Sequence, residues 1–268
     1  MSLSWFSAQP STAEEGVRAP SAGHPFTVPG PNLTLLWVAD GTFRMGSMED
    51  EPDRKSDESP ITRVTLSRGF WLGRFEVTQG QWAAVMGTTP AFFQGDPLLP
   101  VEQVSWDDAV AFCQRLTEKS RSDGTLPDGY VYQLPTEAQW EYACRAGSRE
   151  GVRRIDLPDI AWFRENTRAR SERVGQLQPN AWGFHDMLGN VWEWCADYNG
   201  PYPGGVVVDP PQSEYTGLHR VVRGGSFTSR IEVLRPATRG GDDPETRNFI
   251  LGFRLALAPV RTRGAPGP

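Results

Sequence analysis

Cysteine and histidine are scarce, with three of each among 268 residues. Cys113, Cys144 and Cys195 are too few and too scattered for a disulfide framework, and an odd count leaves one unpaired in any scheme. A reducing compartment is expected. His24, His185 and His219 form no i, i+4 pair and no metal-binding spacing, which argues against a zinc or iron centre built on imidazole. Net positive charge is also missing. A formal charge of −6 argues against a sequence-independent nucleic-acid binder, which must set Lys and Arg against phosphates. Arginines do gather at Arg149, Arg153 and Arg154 and at Arg164, Arg168, Arg170 and Arg173, but interleaved acidic residues make this a solvated face. No apolar run approaches the ~20 residues of a membrane span, and Met1 to Pro31 holds no signal-type apolar core. The expectation is a cytoplasmic protein with neither nucleic acid nor membrane as partner.

Aromatics and turn formers are plentiful: ten Trp, thirteen Phe, twenty-eight Gly and twenty-three Pro. Large rings beneath long irregular loops suit an α+β fold with little regular secondary structure, built from short split β-sheets and a few capped helices. Residues 1–30 and 261–268 are rich in small residues, Pro and Gly and read as disordered tails, leaving one domain over 31–260. Strands are predicted at Leu33–Val38, Phe43–Met45, Ile61–Leu66, Phe70–Phe75, Val221–Arg223 and Gly252–Leu257, so the sheet draws on both ends of the chain. Helices announce themselves by caps. Thr78 with Gln81, Ser105 with Asp108, and Thr136 with Gln139 each pair a capping hydroxyl with a polar residue able to reach back. After Ser105 the apolar series Ala109, Phe112, Cys113 and Leu116 traces one helix face, and after Thr136 Trp140, Ala143 and Cys144 do the same. Both cysteines are therefore read as small buried hydrophobes. From Gly147 to His219 periodicity fades while aromatics persist, so something other than a regular ladder must hold that stretch.

Within it, Glu193 stands between Trp192 and Trp194. An extended backbone sends the two rings to one side and the carboxylate to the other, and a buried carboxylate needs a partner that a cation would supply. Asp186 precedes it, with Gly189 between them to let the chain fold around an ion. The acidic run Glu49, Asp50, Glu51, Asp53, Asp57 and Glu58 reads as a solvated loop. Arg235 and Arg239 are expected to pair with Asp242, Asp243 or Glu245.

Seven blocks in order resemble one family: FRMGS from Phe43, FEVTQGQW from Phe75, PVEQVSWD from Pro100, LPTEAQWEYACRAG from Leu134, PNAWGFHDMLGNVWEW from Pro179, RVVRGGS from Arg220 and GFRLA from Gly252. They are similar to the formylglycine-generating enzyme, or sulfatase-modifying factor, family, and the resemblance extends over about Leu35 to Leu257. The resemblance implies a variant of the C-type lectin fold. It also implies a structural calcium held by the side chains of Asp186 and Glu193 and the carbonyls of Gly189 and Val191, oxygen donors that suit this ion.

The same resemblance sets a limit on activity. In the oxidising members the RGGS motif is followed by an aromatic and then by two cysteines that hold copper(I), and here those cysteine positions carry Ser229 and Leu234. Soft sulfur selects copper(I), a hydroxyl replaces it poorly and Leu offers no donor, so no copper is expected. The reading is a non-catalytic module that binds a protein or small ligand on the loop surface between the RGGS and GFR motifs, where retroelement-diversified variable proteins of this type vary. Phe227, Thr228, Ser229, Arg230, Glu232, Thr238, Asp242 and Asp243 are its candidate residues, with Phe227 and Arg230 foremost as an exposed aromatic beside a guanidinium. The alternative is an enzyme of altered, copper-independent chemistry using Ser229, for which no base stands at a readable spacing.

Overall fold

The computed structural model describes residues 19–148, 151–210 and 217–260. The first strands are β1 (Phe26–Val28), β2 (Leu33–Val38), β3 (Gly41–Met45), β4 (Thr62–Leu66) and β5 (Phe70–Gly73). Helices α1 (Gln79–Met86) and α2 (Trp106–Ser122) follow, then β6 (Tyr130–Gln133), α3 (Glu137–Arg145) and the single turn α4 (Leu157–Ile160). The remainder is β7 (Trp192–Tyr198), β8 (Gly205–Val208), β9 (Arg220–Arg223), β10 (Arg239–Asp242), β11 (Leu251–Gly252) and β12 (Ala256–Pro259).

The largest sheet runs β1-β2-β5-β12-β6, antiparallel throughout, so the last strand is inserted between two early ones. Strand periodicity divides its side chains between two cores. Phe70, Leu72, Ala256 and Ala258 join one cluster with α3 and the loops around Phe184, while Leu35, Trp71 and Leu257 join another with Phe112 and Leu116 of α2. A four-stranded sheet, β10-β9-β7-β11, and a three-stranded sheet, β3-β4-β8, complete the α+β architecture.

All three predicted capping boxes form: Thr78, Ser105 and Thr136 each accept from the backbone three residues on, and Gln81, Asp108 and Gln139 reach back. Cys113 and Cys144 are buried where the helical spacing puts them, and burial raises both thiols, Cys144 to about 12. Helix α3 departs from the simple amphipathic expectation, because every residue from Glu137 to Cys144 is buried. Its polar side faces buried arginines instead of water.

Among the boundaries that differ from expectation, two lie toward the ends of the chain. The stretch expected as a tail to residue 30 contains β1, whose Phe26 and Val28 are buried and which pairs with β2; residues 1–18 and 261–268 lie outside those described. The single strand expected over Gly252–Leu257 is two strands in different sheets. Between them Arg254 turns inward to an ion pair that a continuous ladder would not allow.

Candidate functional site

Strand β7 carries the WEW tripeptide, and its alternation is as the extended geometry requires. Trp192 and Trp194 pack into the core beside α2, while Glu193 points the other way. Its partner is a cation of the protein's own: Arg254 Nε and Nη2 donate to the two carboxylate oxygens at 2.6 and 2.7 Å, and Trp140 Nε1 donates at 2.8 Å. Arg254 also donates to the carbonyls of Gly73 and His185, both at 3.0 Å, tying the GFR motif to β5 and to the loop before β7.

The rest of the implied calcium set lies in that loop. Asp186 Oδ2 accepts from Gly175 N at 2.7 Å, while Oδ1 is buried with no hydrogen-bond partner. Burial, assisted by the charge of Glu193, lifts the Asp186 carboxyl to about 6 against the opposing Gly175 bond and Arg254. Glu76 is raised well above the carboxylate range by burial and by Asp186 and Glu193. It nevertheless accepts from Asn190 Nδ2 at 2.6 Å and Val191 N at 3.1 Å, fixing the turn. Gly189 has φ +83°, and a Cβ there would meet the Trp162 carbonyl, so only glycine fits. Among the described residues no three His, Cys, Asp or Glu side chains converge as a metal cage. The set suits calcium at Asp186, whose orphaned oxygen a cation would satisfy. It does not suit calcium at Glu193, whose two oxygens are already taken by Arg254 and Trp140.

Three further arginines of the interval from RVVRGGS to GFR are internal struts. Arg223, fully buried, pairs with Glu141, donates to the Ala237 carbonyl at 3.0 Å and sits 5.1 Å from the Trp140 ring centroid. Arg239 makes a two-point bridge to Glu137 at 2.8 and 2.7 Å. Arg235 reaches Glu58 at 2.9 and 2.6 Å and Glu51 at 3.0 and 2.8 Å. The expected partners of Arg235 and Arg239, the nearby Asp242, Asp243 and Glu245, are thus corrected to residues distant in sequence. The acidic run is not wholly solvated either, since Glu58 is buried beneath Arg235.

Corrections extend to the ligand candidates. Phe227 is only 1% exposed and is no surface hot spot. Loop aromatics can serve the core, and this ring supports Phe93 and Phe249, at 5.7 and 6.2 Å between centroids. Thr238 is likewise buried, its carbonyl held by Arg223. Ser229 Oγ accepts from Ser226 N at 2.9 Å, the Ser226 and Thr228 hydroxyls meet at 2.9 Å, and Leu234 is buried beside Gly225. Arg230 and Glu232 are exposed. Asp242 and Asp243 stand at the other end of the β9–β10 ladder: Arg223, which leads into the RGGS turn, pairs with Arg239, whereas Asp242 pairs with Arg220. The eight candidates therefore do not form one surface.

What does gather beside Thr228 and Ser229 was not singled out in the sequence. Phe92 (64% exposed), Phe249 (40% exposed) and the half-buried Phe93 form an aromatic patch over Phe227, with Phe92–Phe93 at 5.0 Å and Phe92–Phe249 at 5.8 Å. Buried Glu102 fixes it by accepting from Phe92 N and Phe93 N at 3.0 and 2.8 Å. Arg170 lies 5.8 Å from the Phe93 ring, and Arg164 Nε donates to the Thr228 carbonyl at 3.1 Å. The available signal was a Phe-Phe pair in a Pro- and Gly-bounded loop, where rings have no helical face to fill.

Residues 22–259 match the model of the sulfatase-modifying factor enzyme 1-like domain. The chain belongs to that family. It is 31% identical over 240 residues to a protein named chaperone protein LppX of Paenibacillus barcinonensis, covering 72% of this chain and 81% of that one. With formylglycine-generating enzyme of Mus musculus it shares 30% over 292 residues, covering 83% and 74%. Among solved structures, Treponema denticola variable protein 1 superposes with a TM-score of 0.74 at 27% identity, covering 88% of this chain and 99% of that one. PvdO from Pseudomonas aeruginosa superposes with a TM-score of 0.72 at 25% identity, covering 89% and 99%. The fold is the C-type lectin-like fold of this family. No helix among the described residues is long and apolar enough to cross a membrane.

Proposed function

We propose that this member of the sulfatase-modifying factor family is a binding protein, with the surface of Phe92, Phe93 and Phe249 as its contact and a polypeptide segment bearing an apolar side chain and carboxylates as its ligand. The observation that carries the reading is an exposed aromatic patch whose loop backbone is held by Glu102, with the guanidiniums of Arg170 and Arg164 beside it and Arg230 exposed three residues beyond Phe227. Arg164, Arg170 and Arg230 make no ion pair among the described residues, so their charge remains available to a partner. Exposed aromatics with adjacent Arg are the residues that dominate interface energies. Similarity to a protein named variable protein 1 supports diversification of the segment between RGGS and GFR.

Oxidase chemistry is not part of the proposal, because Ser229 and Leu234 give copper(I) no soft donor. Calcium is, with Asp186 and the carbonyls of Gly189 and Val191 as its ligands.

A displayed peptide library selected on the protein should enrich sequences joining an aromatic or large aliphatic residue to Asp or Glu. The triple variant Phe92→Ser, Phe249→Ser, Arg230→Glu should lose them; equal retention by the variant rejects this surface. Copper titration with a cysteine-peptide oxidation assay should give no turnover, and clear turnover overturns the non-oxidase reading. Chelation should lower the melting temperature in the parent and not in Asp186→Ala; an indifferent parent rejects the calcium site. Diversification requires a reverse transcriptase gene and a near-copy of the segment from Arg223 to Ala256 in the neighbouring DNA, and finding neither discards it.

A further inference from the structure

Sharing no lining residue with the aromatic patch, a cavity of about 530 Å³ opens along β3, walled by Thr42, Phe43 and Arg44 of that strand, by Ile61 and Arg63 at β4, and by Tyr142 and Arg145 of α3. The three-stranded sheet leaves β3 as an edge, and α3 packs across from it, so the cavity is the gap between an open strand edge and the end of a helix. Its volume suits a small organic ligand.

Two features give the cavity chemical character. Its apolar side is the ring pair Phe43–Tyr142, 5.2 Å between centroids, with Tyr142 backed in turn by Trp182 at 5.0 Å. The other is charge. Arg44 and Arg63 are directly opposed in the antiparallel register of β3 and β4, and both are exposed. Like charges directly opposite on neighbouring strands destabilise a sheet. Neither arginine has an ion pair among the described residues. The remaining charges at the cavity are already engaged: Arg145 with Glu141, and Glu51 with Arg235. Arg44 and Arg63 therefore stand on one face of the β3–β4 pair and line the same cavity as the ring pair, with no ion pair of their own among the described residues and with the lining carboxylate of Glu51 held by Arg235. An oxyanion placed between them would remove the repulsion and take charge-assisted, forked hydrogen bonds from both.

We propose that this cavity is a second binding site, for a small organic anion whose phosphate or carboxylate sits between Arg44 and Arg63 and whose flat apolar body lies on Phe43 and Tyr142. It is independent of the aromatic patch and needs neither that surface nor calcium to be correct.

The probes are phenyl phosphate and benzoate, with inorganic phosphate as the head alone and phenol as the ring alone, each followed by calorimetry and by the melting temperature of the full chain. Phenyl phosphate or benzoate should bind at least about tenfold more tightly than either half-probe, and binding should weaken as salt is raised. Arg44→Gln and Arg63→Gln should each weaken binding by about tenfold or more, while leaving the ligand-free melting temperature unchanged or raised because a like-charge contact is relieved. The comparison of phenyl phosphate with benzoate decides which head group the site prefers. Absence of binding by both, equal binding by the double variant Arg44→Gln, Arg63→Gln, or inorganic phosphate binding as well as phenyl phosphate would overturn the proposal.

Discussion

At the scale of single residues, the interior is organised by arginines that meet carboxylates far away in sequence. Arg239 and Glu137 are 102 positions apart, and Arg235 and Glu58 are 177 apart. No spacing rule reaches that distance, which is why the nearby Asp242, Asp243 and Glu245 were the natural but mistaken partners. Glu193 was legible as buried because two tryptophans flank it, and its need for a cation was legible too. That the cation would include Arg254 depended on a strand break invisible in GFRLA. Removing one member of such a pair leaves the other buried and uncompensated, at about 3–5 kcal/mol. Arg254→Ala should therefore lower unfolding free energy by that order in urea titration, and replacing Glu193 and Arg254 together by Leu should recover part of the loss. Glu58 gives a pH signature. Burial pushes its carboxyl up, but the hydrogen bonds and charge of Arg235 outweigh this and leave it below its ordinary 4.5. A carboxyl lowered on folding stabilises above its unfolded value and loses that contribution as pH falls through the folded one. Glu58→Gln should be less stable than the parent at pH 7, and the gap should narrow on acidification below about 4.5; a gap that is constant with pH contradicts the assignment.

Elements were most legible where a local rule decides them. A hydroxyl three residues before a carboxamide or carboxylate fixed all three helix starts, since capping depends only on neighbours. The mirror case is β7, a continuous run of buried residues from Glu193 to Asp197, whose two-sided burial erases the alternation by which a strand is recognised. Phe227 failed for a related reason: loop position does not report exposure, and only the packing of Phe93 and Phe249 shows which ring is beneath. Helix α3 combines both lessons, with a legible cap and an illegible environment. Thr136→Ala should cost about 1 kcal/mol, the usual magnitude for loss of a hydroxyl cap. The effect should exceed that of Thr78→Ala on the short helix α1, because α3 also positions Glu137 and Glu141 for Arg239 and Arg223. Denaturant titration of the two variants side by side tests the order.

For the whole molecule, the decisive feature is that the chain closes on itself. Strand β12 lies between β5 and β6, so an interior position of the largest sheet is filled by residues at the other end of the sequence. The expectation of a sheet shared by both ends captured this, though not the insertion order, which register alone reveals. The GFR segment just before β12 then locks Glu193, Gly73 and His185 together. A chain ending at Leu251 should consequently show no cooperative thermal transition, because it loses a strand paired on both sides and the buried Arg254 in one step. The aromatic patch is at the opposite extreme. Phe92→Ser, Phe249→Ser and Arg230→Glu act on exposed positions, where substitutions usually change stability by no more than about 0.5 kcal/mol each. Their combined melting temperature should stay within a few degrees of the parent while peptide binding is lost. A collapse of stability in the triple variant would mean that the patch belongs to the core, in the way Phe227 does, and that its exposure is not there to meet a partner.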